Sequence, residues 1–143
     1  MRFSSASLFT AILFAGCAFG MALMPRVMPQ PPSGTHKPLI CFWWGDYFPP
    51  HTKMALALAF EACSNGILGN RNYTIHQKSK VCYTLGWEKR VEMSVMLRKY
   101  PPRFLTTEEC QHRIYPIFFC DKGGKRNFEN WKFKADPNKG PCG

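Results

Sequence analysis

At 143 residues the chain has room for one compact domain, and it holds no internal repeat and no low-complexity block beyond a proline-rich stretch. Lys and Arg outnumber Asp and Glu by 19 to 9, a formal net charge of +10 that draws the protein to anionic surfaces. Nucleic acid, acidic lipid, cell-wall polyanions and acidic proteins all satisfy such a field, and the same charge also serves plain solubility. None of the seven cysteines forms a C-x-x-C pair, which argues against zinc and against a thioredoxin-like redox site, and no other metal site is read from the sequence.

The apolar run from Ala6 to Met24 follows a single charge at Arg2 and precedes Pro25. Small residues Ala18 and Gly20 stand at cleavage offsets, so residues 1–20 read as a signal peptide cut after Gly20, with Ala22 as the second choice. Two other readings compete. An uncut anchor needs about twenty apolar residues, and Leu13-Phe14-Ala15-Gly16-Cys17 resembles a lipoprotein box in which Phe14 fits poorly. Export means an oxidising, extracellular destination with no stable membrane span, where cysteines pair. Removing residues 1–20 leaves 18 basic against 9 acidic residues and six cysteines: Cys41, Cys63, Cys82, Cys110, Cys120 and Cys142. An even set predicts three bridges, for which six cysteines allow fifteen pairings.

Residues 21–38, rich in proline and methionine, predict a flexible leader, either a propeptide or a mature tail, and residues 39–143 a single disulfide-rich domain. Leu39–Trp44 reads as a buried first strand. Thr52 is placed to cap a helix that stops near Asn65-Gly66. Lys78–Leu85 and Arg90–Lys99 flank Gly86-Trp87-Glu88-Lys89, and Val91, Met93, Val95 and Leu97 alternate with Glu92, Ser94, Met96 and Arg98, which predicts a hairpin with one buried face. Thr106-Thr107-Glu108-Glu109 has the spacing of a capping box, so a second helix starts there and ends or kinks near Tyr115 ahead of Pro116. Trp131, Phe133 and Ala135 alternate with Lys132 and Lys134 in a final strand.

The order βαββαβ predicts an α+β fold, a split βαβ arrangement of an antiparallel sheet with two helices on one face. In that layout the first strand starts where the last one ends, and helix one ends near the start of helix two. The pairing Cys41–Cys142, Cys63–Cys110 and Cys82–Cys120 follows.

Candidates for chemistry are few. His51, His76 and His112 with Glu88, Glu92, Arg98 and Arg113 are the ingredients of a metal-free ribonuclease: a base, an acid and a cation for the phosphorane charge. The alternative is that they are surface residues sharing no site. No G-x-S-x-G, H-E-x-x-H or phosphate-cradling loop is present, and nothing calls for a cofactor or a catalytic residue. Gly123-Gly124-Lys125-Arg126 reads as a flexible, exposed loop whose Lys125-Arg126 a processing protease could cut. Asn72-Tyr73-Thr74 is a glycosylation sequon in a predicted surface loop. In the dense cluster Phe42, Trp43, Trp44, Tyr47 and Phe48, part must be core. Trp43 and Tyr47 either pack under the leader and helices or form a stacking surface for sugars or bases beside basic residues.

Leu105–Cys110, Cys120-Asp121, Gly123-Gly124, Trp131-Lys132-Phe133, Asp136-Pro137-Asn138 and Cys142 resemble the second half of small cysteine-rich secreted effectors of filamentous fungi, a group that includes relatives of the fungal killer toxins. The resemblance covers residues 41–143 in layout and about the last forty in local motif; Pro116 departs from an uninterrupted second helix. It implies an α/β sandwich acting in virulence on a host or a competitor, often without catalysis, and transfers no functional residue. Two functions follow as expectations: a secreted effector or toxin-like binding protein, and a secreted basic ribonuclease-like protein that binds or cleaves RNA.

Overall fold

The structure, a computed structural model, describes residues 38–86 and 88–143. The signal-peptide and leader readings, apart from Pro38, lie outside the described residues. The fold is α+β: two α-helices and a mainly antiparallel sheet joined by three disulfides. In chain order the elements are β1 (Ile40–Cys41), α1 (Thr52–Ser64), β2 (Arg71–Tyr73), β3 (Lys78–Gly86), β4 (Lys89–Leu97), β5 (Arg103–Leu105), α2 (Thr107–Ile114), a 3-10 turn (Tyr115–Phe119), β6 (Gly124–Phe128) and β7 (Trp131–Lys139). The main sheet has the order β1-β6-β7-β4-β3 with every neighbour antiparallel, and β2 and β5 form a separate two-stranded ribbon.

Alternation decides which face is buried. Val91, Met93, Val95 and Leu97 of β4 and Trp131, Phe133 and Ala135 of β7 all turn to the helices and lose essentially all exposure. The helical layer answers with Ala55, Ala59 and Ala62 of α1 and Ile114 of α2, small on one helix and branched on the other. Trp131 packs edge-on against Tyr73 at 5.1 Å, and the Tyr73 hydroxyl donates to the Leu68 carbonyl at 2.8 Å, so its polar tip is satisfied inside the core. Each fully buried Val, Leu, Ile, Phe or Met side chain among these stabilises the fold by about 1.5–3 kcal/mol.

The hairpin and the second helix stand where the residues place them. Thr106 caps α2 by accepting from the Glu109 N–H at 3.1 Å, and Pro116 converts the helix into the 3-10 turn. Four expectations about the elements are corrected. The first strand is only Ile40–Cys41, exposed at the sheet edge, because the chain leaves the sheet at Phe42 and turns at Gly45. His51, not Thr52, holds the N-cap of α1, with no side-chain cap. The final strand is a hairpin, β6–β7, whose first member inserts between β1 and β7.

The fourth correction concerns Gly123-Gly124-Lys125-Arg126, which is the entry to β6 and not a flexible loop. A Cβ on Gly123, whose φ is 74°, would meet the Ala135 carbonyl oxygen, and one on Gly124 would lie 2.6 Å from that of Ile40. The glycines admit close backbone approach. Lys125 lies between Ile40 and Lys134 in the sheet, so its backbone is already paired on both sides and is not free to enter a protease.

The bridges are Cys41–Cys120, Cys63–Cys110 and Cys82–Cys142. The Cys63–Cys110 expectation holds, joining the end of α1 to α2. The pairings Cys41–Cys142 and Cys82–Cys120 are wrong because β6 displaces β1 to one edge while the chain after β7 folds back toward β3 at the other. Cys142 N–H donates to Thr84 Oγ1 at 3.2 Å, and Arg90 holds the carbonyls of Lys139 and Pro141. Cys41 pairs in register with Gly124, next to Cys120 at the close of the 3-10 turn.

Candidate functional site: a lysine-rich sheet face

Turning one face to the helices commits the intervening residues to the other. Register places Lys80, Ser94, Lys134 and Lys125 side by side across β3, β4, β7 and β6, and Lys78, Met96, Lys132 and Asn127 in the next row. Neighbours lie about 4.8 Å apart across the strands and about 6.7 Å along them. A third row, Cys82, Glu92 and Asp136, carries the acids. Both are engaged: Glu92 accepts from Arg90 at 2.9 Å and Asp136 from Lys134 at 2.7 Å. Among the described residues Lys78, Lys80, Lys125 and Lys132 have no ion-pair partner. Desolvation, and then repulsion from Lys80, Lys134 and Lys132, holds the Lys78 ammonium below the usual lysine range.

Aromatic rings edge this field where the chain leaves β1. Phe42 and Trp44 lie nearly parallel, centroids 6.3 Å apart and planes 18° from each other, and Trp43 meets Trp44 edge-on at 4.8 Å. Trp43 is 80% exposed and Trp44 61%, so Trp43 does not pack under the helices. Tyr47 is half-exposed beneath the Lys122 ammonium at 4.6 Å. Lys134 Nζ stands 5.4 Å from the Phe42 ring centre, which joins the aromatic edge to the lysine rows. Two adjoining depressions mark the face, of about 680 Å³ and 330 Å³. Lys78 and Lys134 line both, the larger reaching the folded-back Pro141 and the smaller walled by Phe42 and Trp44.

The remaining candidates do not converge. Of the surface-contact pair Lys125 and Arg126, only Lys125 is on this face; Arg126 points to the helical side, 5.7 Å from the Phe128 ring, where burial lowers its pKa. Of the ribonuclease ingredients, His51 lies beside Gly86 at one end of β3 and His76 precedes the other end, about 25 Å of strand away. His112 is exposed on α2, while Glu92 is on the opposite side of the sheet, which no described element covers. Glu88 is in the β3–β4 turn and Arg98 just past β4. Arg113 is packed 3.1 Å over Phe128 with Glu109 3.9 Å away, a structural position in which burial pushes its pKa down. No group of three or more His, Cys, Asp or Glu among the described residues is placed to hold a metal ion. Asn72 is exposed on β2, on a ribbon and not in the loop its sequence suggested.

Lys78, Lys80, Lys132 and Lys134 are the site residues that motif reasoning missed. Their signal was the polar half of the same alternation that located the core, Lys132/Lys134 against Trp131/Phe133/Ala135. No protein-family model matches this chain, and no curated protein or solved structure matches it either. No helix among the described residues is long and apolar enough to cross a membrane.

Proposed function

We propose that this is a secreted, effector- or toxin-like binding protein that acts without catalysis on a host or competitor target, and that the uncovered lysine face is its contact surface. The observation that carries the reading is the unpaired lysine cluster on a sheet face that no element of the described fold covers. Like charges gathered at strand spacing cost stability, so a face that keeps them is explained by an anionic partner. Three disulfides accord with an extracellular setting, as does the resemblance to secreted fungal effectors. Separation of the histidines from Glu92 supports binding over ribonuclease chemistry, which needs base, acid and cation around one phosphate.

The test compares oxidised full-length protein with Lys80→Glu/Lys132→Glu. Retention on polyanionic matrices should fall steeply with salt and be lost in the variant while circular dichroism is unchanged. RNA incubated with chelator should stay intact. Retention that ignores both substitutions refutes the assigned face, and chelator-resistant RNA hydrolysis lost in His76→Ala or His112→Ala refutes the non-catalytic reading.

A further inference from the structure

We infer that the lysine face binds a single-stranded polynucleotide laid across the strands, with phosphates on the lysine rows and a base stacked at the Phe42–Trp44 edge. The inference rests on the binding role proposed above and names its ligand. Three observations select this polyanion.

The first is continuity. The two depressions share Lys78 and Lys134 and so adjoin, one walled by Trp44 and the other reaching the folded-back tail at Pro141. A linear polymer can occupy both.

The second is alternation of chemistry at short range. Phe42 and Trp44 wall the same 330 Å³ recess that Lys78, Lys125, Lys132 and Lys134 line, together with Asp136, whose charge Lys134 pairs. Planar rings and cations therefore face one small volume. A nucleotide presents a π-face and an anion within one monomer, and an unpaired strand leaves that face accessible, whereas duplex bases are already stacked on one another. An acidic membrane offers anions in a plane with its apolar layer beneath, which suits rings projecting past the lysines; the Phe42 and Trp44 rings instead share a recess with them.

The third is the disposition of acids. Glu92 and Asp136 are tied to Arg90 and Lys134 and leave four lysines without ion-pair partners among the described residues. Four phosphate contacts on a single strand predict a slope of about −3 in log affinity against log salt.

The test measures fluorescence anisotropy with labelled oligouridylate and oligothymidylate of about twelve nucleotides. Comparison ligands are a blunt duplex with the same phosphate count, heparin, and phosphatidylserine–phosphatidylcholine vesicles. Single strands should bind about tenfold or more tighter than the duplex, and Trp44→Ala should cost single-strand affinity about fivefold or more while Trp44→Phe restores most of it. Trp44→Ala should leave heparin binding unchanged. Lys80→Gln should flatten the salt slope by about 0.7. Equal or tighter binding of duplex, heparin or vesicles, or indifference to Trp44→Ala, overturns this ligand. If those ligands still depend on Lys80 and Lys132, the binding role survives and only the polynucleotide falls; if no polyanion depends on them, both fall.

Discussion

Removing bridges one at a time should separate two that loop length alone makes nearly equal. Cys63–Cys110 closes 47 residues and Cys82–Cys142 closes 60, and chain entropy alone assigns each about 4 kcal/mol. The native states differ. Cys63 and Cys110 are fully buried where α1 meets α2, with Gly69 packed so closely that a Cβ there would lie 2.8 Å from Cys110 Cβ. Cys63→Ala/Cys110→Ala therefore adds a void, about 1–2 kcal/mol more, for a total near 5 to 6. Cys82→Ala/Cys142→Ala frees the exposed segment after β7 in the folded state too. Each residue so released recovers about 1–2 kcal/mol of backbone entropy, which offsets half or more of the loss and leaves about 2 kcal/mol. Guanidinium unfolding of both double variants, with slopes compared so that a change in unfolded-state compactness is seen, measures the difference. Equal losses, or the larger loss at Cys82–Cys142, would refute the claim that the tail is held and not structural.

Gly123→Ala should destabilise by about 3 kcal/mol or more, read by the same unfolding assay, since its Cβ would meet the Ala135 carbonyl and lie 2.7 Å from Pro137 Cδ at a φ of 74°. Lys78→Gln should stabilise: because the folded state lowers the Lys78 pKa, the protonated fold is disfavoured relative to the unfolded chain, and deleting the charge removes that penalty. The gain should be under about 1 kcal/mol because the ammonium is largely in solvent, should shrink as pH rises through the lysine range, and should come with weaker polyanion binding. Secreted from a eukaryotic host, the protein should lose mass on glycosidase treatment, and Asn72→Gln should abolish that change with little effect on stability, since Asn72 is exposed.

Periodic elements were legible and non-local ones were not. The alternation in β4 and β7 located both strands, and Thr106 and Pro116 bounded α2, because those signals act within a few residues. β6 escaped notice because Gly123-Gly124 carries the signature of a turn; what makes it a strand is close approach to Ala135 and Ile40, far away in sequence. That omission also misplaced two disulfides, whose partners depend on strand order. The short ribbon of β2 and β5 gives too few residues to show a period. The lysine face is only half legible in the sequence: alternation within a strand shows a polar side, and only register across four strands shows that Lys80, Lys134 and Lys125 share a row.

The period-two division of β7 writes two messages into nine residues, one letter of each in turn. Trp131, Phe133 and Ala135 spell the core, and Lys132, Lys134 and Asp136 spell the charged face proposed to bind. Point changes in the second message leave the first untouched, so partner choice can drift without refolding. A one-residue insertion or deletion scrambles both, because every later side chain changes face. Variation in this protein should therefore run through substitutions at the even positions of β4 and β7, with length changes confined to loops outside the strands.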